Sequence, residues 1–167
     1  GDGKAREGNF GLDVTGDDGK AYIQDLAFCL EFALKNRQEI LRRAVAAIET
    51  VTPCTETTLF INRNHNHAEL KDGLWIHRKG ATHAELGMLG IIPGNMRDGS
   101  FIVAGKGNSE SLYSSSHGAG RVMGRKEAQK KLSMSDFETT MAGVTAKVSK
   151  DTLDEAPDAY KNIFQVM

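Results

Sequence analysis

The sequence predicts an α+β fold, a mixed sheet with one long amphipathic helix. Three observations carry this expectation. One apolar stripe recurs at helical spacing over about thirty residues, short β-prone runs follow it, and helical segments fall among those runs without regular strand–helix alternation. At 167 residues, 40% apolar and 26% charged, the chain is long enough for a single domain with a core.

Residues 1–20 hold six glycines together with Asp2, Asp13, Asp17 and Asp18. So few apolar groups cannot offset the entropy of ordering the segment, which predicts a loop or a severed end. From Tyr22 to Thr50, Leu26, Leu30, Ala33, Ile40, Ala44 and Ile48 recur on one helical face, with Lys35, Arg37, Glu39 and Arg42 mostly between them. Thr52 and Pro53 end this helix. Strands are predicted at Thr57–Ile61, Leu74–His77, Gly90–Ile92 and Ser100–Ala104, with a weaker one at Val144–Val148. Helices are predicted at Gly118–Leu132 and Ser135–Met141, and Asp158–Met167 reads as the opening of a last one.

Bulk charge excludes some functions. Twenty-one Lys and Arg against 22 Asp and Glu leave a net charge of -1, so any nucleic-acid site is a local patch. Cys29 and Cys54 have no CxxC spacing, which argues against a disulfide framework or zinc finger. With no window of eighteen apolar residues and no apolar signal core, a cytoplasmic protein is expected.

The chemistry-bearing residues crowd into 77–125. Ser114, Ser115, Ser116, His117, Gly118, Ala119, Gly120 and Arg121 set one nucleophilic imidazole among hydroxyls and residues too small to block approach. Glycines there let backbone N–H groups approach an anion, which suits a phosphate, although a histidine in a glycine-rich loop is more often a satisfied turn residue. Gly105, Lys106 and Gly107 do not make a P-loop, because Ser100 and Gly107 stand where that motif needs Gly and Ser or Thr.

Four of the five histidines, His65, His67, His77 and His83, fall within nineteen positions. The string His65, Asn66, His67 has none of the spacing of an HNH nuclease, and on a strand His67 points away from Asn66. His77 ends a predicted strand beside Arg78 and Lys79, which fits either an ion that holds phosphates or a plain strand edge before a solvated basic turn. Arg121, Arg125, Lys126, Lys130 and Lys131 face only Glu127, an excess of four positive charges. A solvated helix face and a phosphate-binding role for Arg121 and Arg125 both fit this run.

HRKGAT at 77–82, PGNM at 93–96 with DGS at 98–100, SSSHGAGR at 114–121 and EAPDAYK at 155–161 together resemble the RtcB family of RNA-splicing ligases, in the family's order. The resemblance runs from about Tyr22 to Met167 and covers the family's C-terminal portion, so that residues 21–167 are expected to be part of a catalytic domain. It implies GTP- and manganese-dependent joining of RNA 3′-phosphate or 2′,3′-cyclic phosphate ends to 5′-hydroxyl ends, in tRNA splicing or RNA repair, through a guanylylated histidine. It further implies that His117 is the nucleophile and that His77 is a manganese ligand, with His65 and Asn66 as active-site neighbours. Pro93, Gly94, Asn95, Met96, Ser100, His117, Ala119, Gly120 and Tyr160 are implied to contact the nucleotide, and Arg78, Lys79 and Arg121 to hold RNA or nucleotide phosphates.

Departures matter too. Asn95 stands where the family more often has Ser, the family's terminal lysine has no counterpart here, and its remaining metal ligands belong to an upstream segment, an expected partner. The isolated chain is therefore expected to be inactive. The alternative reading is a guanine-nucleotide or RNA-binding module without ligase activity.

Overall fold

The computed structural model describes residues 11–52 and 56–167, and the chain divides into two compact units, Gly1–Thr58 and Leu59–Met167. The predicted stop at Pro53 and the second cysteine, Cys54, lie outside the described residues.

The first unit is built on helix α1, Asp17–Glu49. It starts a turn before the predicted Tyr22, because Asp17 and Asp18 place carboxylates where the helix dipole is positive. Its polar positions are laced by Glu31–Lys35 and by Glu39 with Arg42 and Arg43; the two guanidinium groups hold the Glu39 carboxyl down at about 2. Only Gly19 of the helix is buried, and Phe28 and Phe32 are exposed. Among the described residues no helix is long and apolar enough to cross a membrane.

The second unit opens with a hairpin, β1 (Asn66–Lys71) and β2 (Leu74–Lys79), paired from Asn66↔Lys79 to Lys71↔Leu74. Its two turn residues, Asp72 and Gly73, both have positive φ, 50° and 79°, the backbone that matches strand twist in a two-residue turn. Strand β3 (Ala81–His83) pairs with β6 (Ser114–Ser116), and β4 (Leu89–Pro93) pairs with β5 (Ser100–Ala104). Helices α2 (Arg125–Lys131), α3 (Met134–Thr140) and α4 (Ile163–Val166) follow, with short 3-10 helices at Lys150–Glu155 and Pro157–Ala159.

The class is α+β as expected, but the described strands form three two-stranded antiparallel sheets in place of one mixed sheet. Thr57–Ile61 and Val144–Val148 are not strands. Both runs have β-prone side chains but no hydrogen-bonded partner strand among the described residues, and Val144 and Val148 are used in packing instead. The helix predicted from Gly118 begins only at Arg125, since Gly118–Gly124 is drawn into the loop that carries the site. Two apolar clusters hold this unit together. Phe137, Met141, Leu153 and Ala156 form one, with Met96 packed against it; Ile92, Ala119 and Ile163 form the other, flanked by Phe101 and Val103. The second cluster lies directly under the loop that follows His117, so the nucleophile candidate rests on a packed floor.

Candidate active site around His117

Backbone pairing brings the separated motifs together. Ala81 of HRKGAT pairs with Ser116, and Thr82 with Ser115, so β3 lies against the strand that delivers His117. Gly80 N–H donates to the His65 carbonyl at 2.8 Å and to Asn66 Oδ1 at 3.1 Å, which ties the His-Asn pair to the same corner. The His65 and His117 rings then stack, centroids 5.5 Å apart and 8° from parallel. Gly80 is itself a contact: at φ 69°, a Cβ there would meet His117 Cε1 at 3.2 Å and Nδ1 at 3.4 Å. The imidazole is thus boxed between His65 and a residue without a side chain, while remaining exposed.

The next loop docks by its main chain. Ala119 N–H donates to the Pro93 carbonyl at 2.9 Å, so the turn Pro93–Met96 borders the HGAG segment. Asn95 is spent within that turn: its Oδ1 accepts from the N–H groups of Arg97 and Asp98, both at 2.9 Å, and its Nδ2 donates to Asp98 at 2.8 Å. The Arg97 guanidinium, then the Asn95 amide, hold the Asp98 carboxyl below its ordinary range. Ser100 sits across from Pro93 in the β4–β5 register, exposed at the edge of the same turn.

The tail closes the other side. Arg121 bridges Tyr160, Val122 N–H donates to Ala159, and Lys161 N–H donates to the Gly120 carbonyl, the last two at 2.9 Å. All four motifs therefore meet around His117. A family described as tRNA-splicing ligase RtcB matches residues 8–167. The chain belongs to the RtcB family. It is 39% identical over 156 residues to the RNA-splicing ligase RtcB of Escherichia coli strain K12, covering 87% of this chain and 38% of that protein. It is 30% identical over 179 residues to the RNA-splicing ligase RtcB of Mycobacterium tuberculosis strain H37Rv, covering 92% and 41%. The chain spans about two fifths of the length of these curated relatives.

Two of the cations expected on RtcB phosphates are used by the protein itself. Arg78 has a side chain only 1% exposed; its Nη1 donates to Glu69 Oε1 at 2.6 Å, Nε to Ser114 Oγ at 2.7 Å and Nη2 to the Leu112 carbonyl at 2.9 Å. Strand alternation puts Arg78, expected to hold phosphate, on the buried face with Ile76, while His77 and Lys79 take the exposed one. Arg121 donates through Nε to Met123 at 3.0 Å, through Nη1 to the Tyr160 hydroxyl at 3.0 Å and through Nη2 to the Asp154 carbonyl, and it stacks over the Tyr160 ring. It clamps the tail onto the HGAGR segment. Burial first, then the hydrogen bond to Glu155, pushes the Tyr160 phenol up.

Arg125 pairs with Asp154 and Glu155, and Lys131 with Glu127 at 2.5 Å, so most of the basic run is neutralised. Lys79 is exposed on the hairpin face that also carries His77 and Asn66.

Sequence reasoning missed the network beneath. Arg78 Nη1 lies 3.3 Å from His67 Nε2, and a guanidinium only donates, so that nitrogen must accept and the His67 proton sits on Nδ1, which is buried with no partner among the described residues. His83 bridges Glu69 at 3.3 Å and Glu85 at 3.2 Å. Burial foremost holds both histidines below their ordinary value. The placing of His67 opposite Asn66 was the one legible signal: Asn66 is exposed and His67 buried.

Proposed function

We propose that this chain is the part of an RNA ligase that carries the covalent nucleophile, with His117 accepting GMP from GTP. The observation that supports it best is the convergence on His117 of four motifs that the sequence spreads over 77–161. An imidazole nitrogen of His117 attacks the α-phosphorus; the N–P bond forms as the α–β P–O bond breaks and pyrophosphate leaves. A terminal RNA 3′-phosphate oxygen then takes the GMP, regenerating His117, and the 5′-hydroxyl of the second strand attacks the RNA phosphorus and expels GMP. A 2′,3′-cyclic end must first be opened by water to the 3′-phosphate.

The chain's own groups orient and shield. His65 and Gly80 fix the plane of the imidazole, the packed floor of Ile92, Ala119 and Ile163 holds the HGAG backbone, and the Pro93–Met96 turn with Ser100 and Tyr160 borders the space for the guanine nucleotide. Lys79 and Lys161, the lysines that belong to the HRKGAT and EAPDAYK motifs, are exposed and would offset phosphate charge.

Manganese does not fit the described residues alone. They contain no group of three or more His, Cys, Asp or Glu that could hold an ion. The imidazole that stacks on His117 is His65, which places that residue beside the nucleophile for an ion there, and His77 remains the ligand that the resemblance implies. The same shortfall favours the second reading for the isolated polypeptide, a guanine-nucleotide or RNA-binding module that does not ligate.

Ligation of a 3′-phosphate RNA to a 5′-hydroxyl RNA, with GTP and manganese, tests both. The 167 residues alone are expected to give no product, and addition of an upstream RtcB segment to restore some. Robust ligation by the isolated chain would mean its metal ligands have been misread; none from a full-length protein containing this chain would remove the ligase reading.

A further inference from the structure

A cavity of about 380 Å³ lies beside the strand that delivers His117, and none of the residues assigned to the guanine nucleotide lines it. Its walls include Thr82 of β3, Ser114, Ser115 and Ser116 of β6, and the loop residues Lys106 and Asn108, while Met88, Ile92, Val103, Val166 and Met167 give it an apolar side. Its size is that of roughly one nucleotide, near the lower end for small-molecule sites.

The polar groups have a definite sense. Ser111 Oγ donates to the Asn108 carbonyl and Ser115 Oγ to the Ser116 carbonyl, so their protons are spent inward and their lone pairs remain, whereas Ser114 Oγ both donates to the Leu112 carbonyl and accepts from Arg78 Nε. Such hydroxyls accept hydrogen bonds from a ligand that carries donors of its own. Lys106 is exposed and makes no ion pair among the described residues, and no Asp or Glu lines the cavity. A ligand with several hydroxyl or amine donors, one flat apolar face and an anionic group meets these terms together, and a ribonucleotide has all three.

We propose that this cavity receives the terminal nucleotide of one of the two RNA strands to be joined. Ser116 lines it and His117 follows, so a strand end seated there lies next to the histidine while the guanine nucleotide occupies the Pro93–Met96 and HGAG side. The proposal rests on the ligase reading.

The test uses the 167-residue chain and binding, not turnover. Affinity is measured for GTP and for two short RNAs of one sequence, one ending in a 3′-phosphate with a blocked 5′ end and one with a free 5′-hydroxyl and a blocked 3′ end. Lys106→Glu is expected to weaken one of these RNAs about tenfold, the loss of a charge-assisted contact, and to leave GTP affinity unchanged. Ala104→Trp, at an exposed position on the cavity rim, is expected to do the same by filling space. Which RNA loses affinity tells which strand end occupies the cavity. Unchanged RNA affinity in both variants, equal losses for GTP and RNA, or no RNA binding by the parent chain would each overturn the proposal. Failure of the ligase reading is seen separately, as absence of a GMP adduct on His117 in a full-length protein containing this chain.

Discussion

Replacing Gly80 by Ala separates two costs that the structure predicts at one position. The first is backbone strain, because φ is 69° and a side chain in that region costs about 1–2 kcal/mol. The second is specific to the site: the new methyl would lie 3.2 Å from His117 Cε1, inside the roughly 3.5–4.0 Å of ordinary carbon contact, so the ring must shift or the strand must give. Gly73 supplies the control, with φ 79° and nothing within 4 Å of an added Cβ. Thermal or urea unfolding of both variants should therefore show the strain cost in each, with about 1 kcal/mol more lost in Gly80→Ala, the usual lower bound for overpacking. The His117 ring resonances, read by NMR, should move in Gly80→Ala and stay in place in Gly73→Ala. Equal destabilisation with an unmoved His117 signal would refute the stacked placement of His117 over Gly80.

Arg78→Met should cost about 3 kcal/mol, because it leaves Glu69 and the Leu112 carbonyl without their buried donor; chemical denaturation checks this, and a neutral outcome would return Arg78 to the surface. Stability should also fall as pH drops below about 6.5, since the unfolded chain protonates His67 and His83 there while burial keeps them neutral in the fold. Their stabilising contribution is complete above that pH and is lost as pH falls through the folded values; His67→Leu should flatten the dependence, and an identical slope would exclude His67 as a source. Arg121→Ala should release the 155–161 tail, seen as faster proteolysis there and a loss of about 2 kcal/mol, whereas a purely phosphate-binding Arg121 would leave stability unchanged.

Local pattern and motif were legible to different degrees in this chain. The α1 periodicity and the run Ser100–Ala104 were readable because side-chain spacing alone defines them. Strand β1 was not, because NHAELK carries charged and polar residues on both faces, and the burial of His67 is compensated by Arg78 from the neighbouring strand rather than by anything nearby in sequence. The strand β6 is three serines, which hydrophobic patterning cannot find. Motif resemblance singled out His117 and its loops, yet it carried no signal of the internal partners of the arginines. Arg78 and Arg121 look alike in a string with Lys79, and only strand alternation and the docking of the 155–161 tail show that both are committed internally.

The most direct test of the account is to find where GMP attaches. A full-length RtcB protein containing this chain is incubated with α-labelled GTP and manganese, digested, and the labelled peptide sequenced by mass spectrometry. The label is expected on His117 as a phosphoramidate that is lost in acid, with none in His117→Ala. Label on a lysine, or labelling that survives His117→Ala, would contradict the assignment of His117 as the nucleophile.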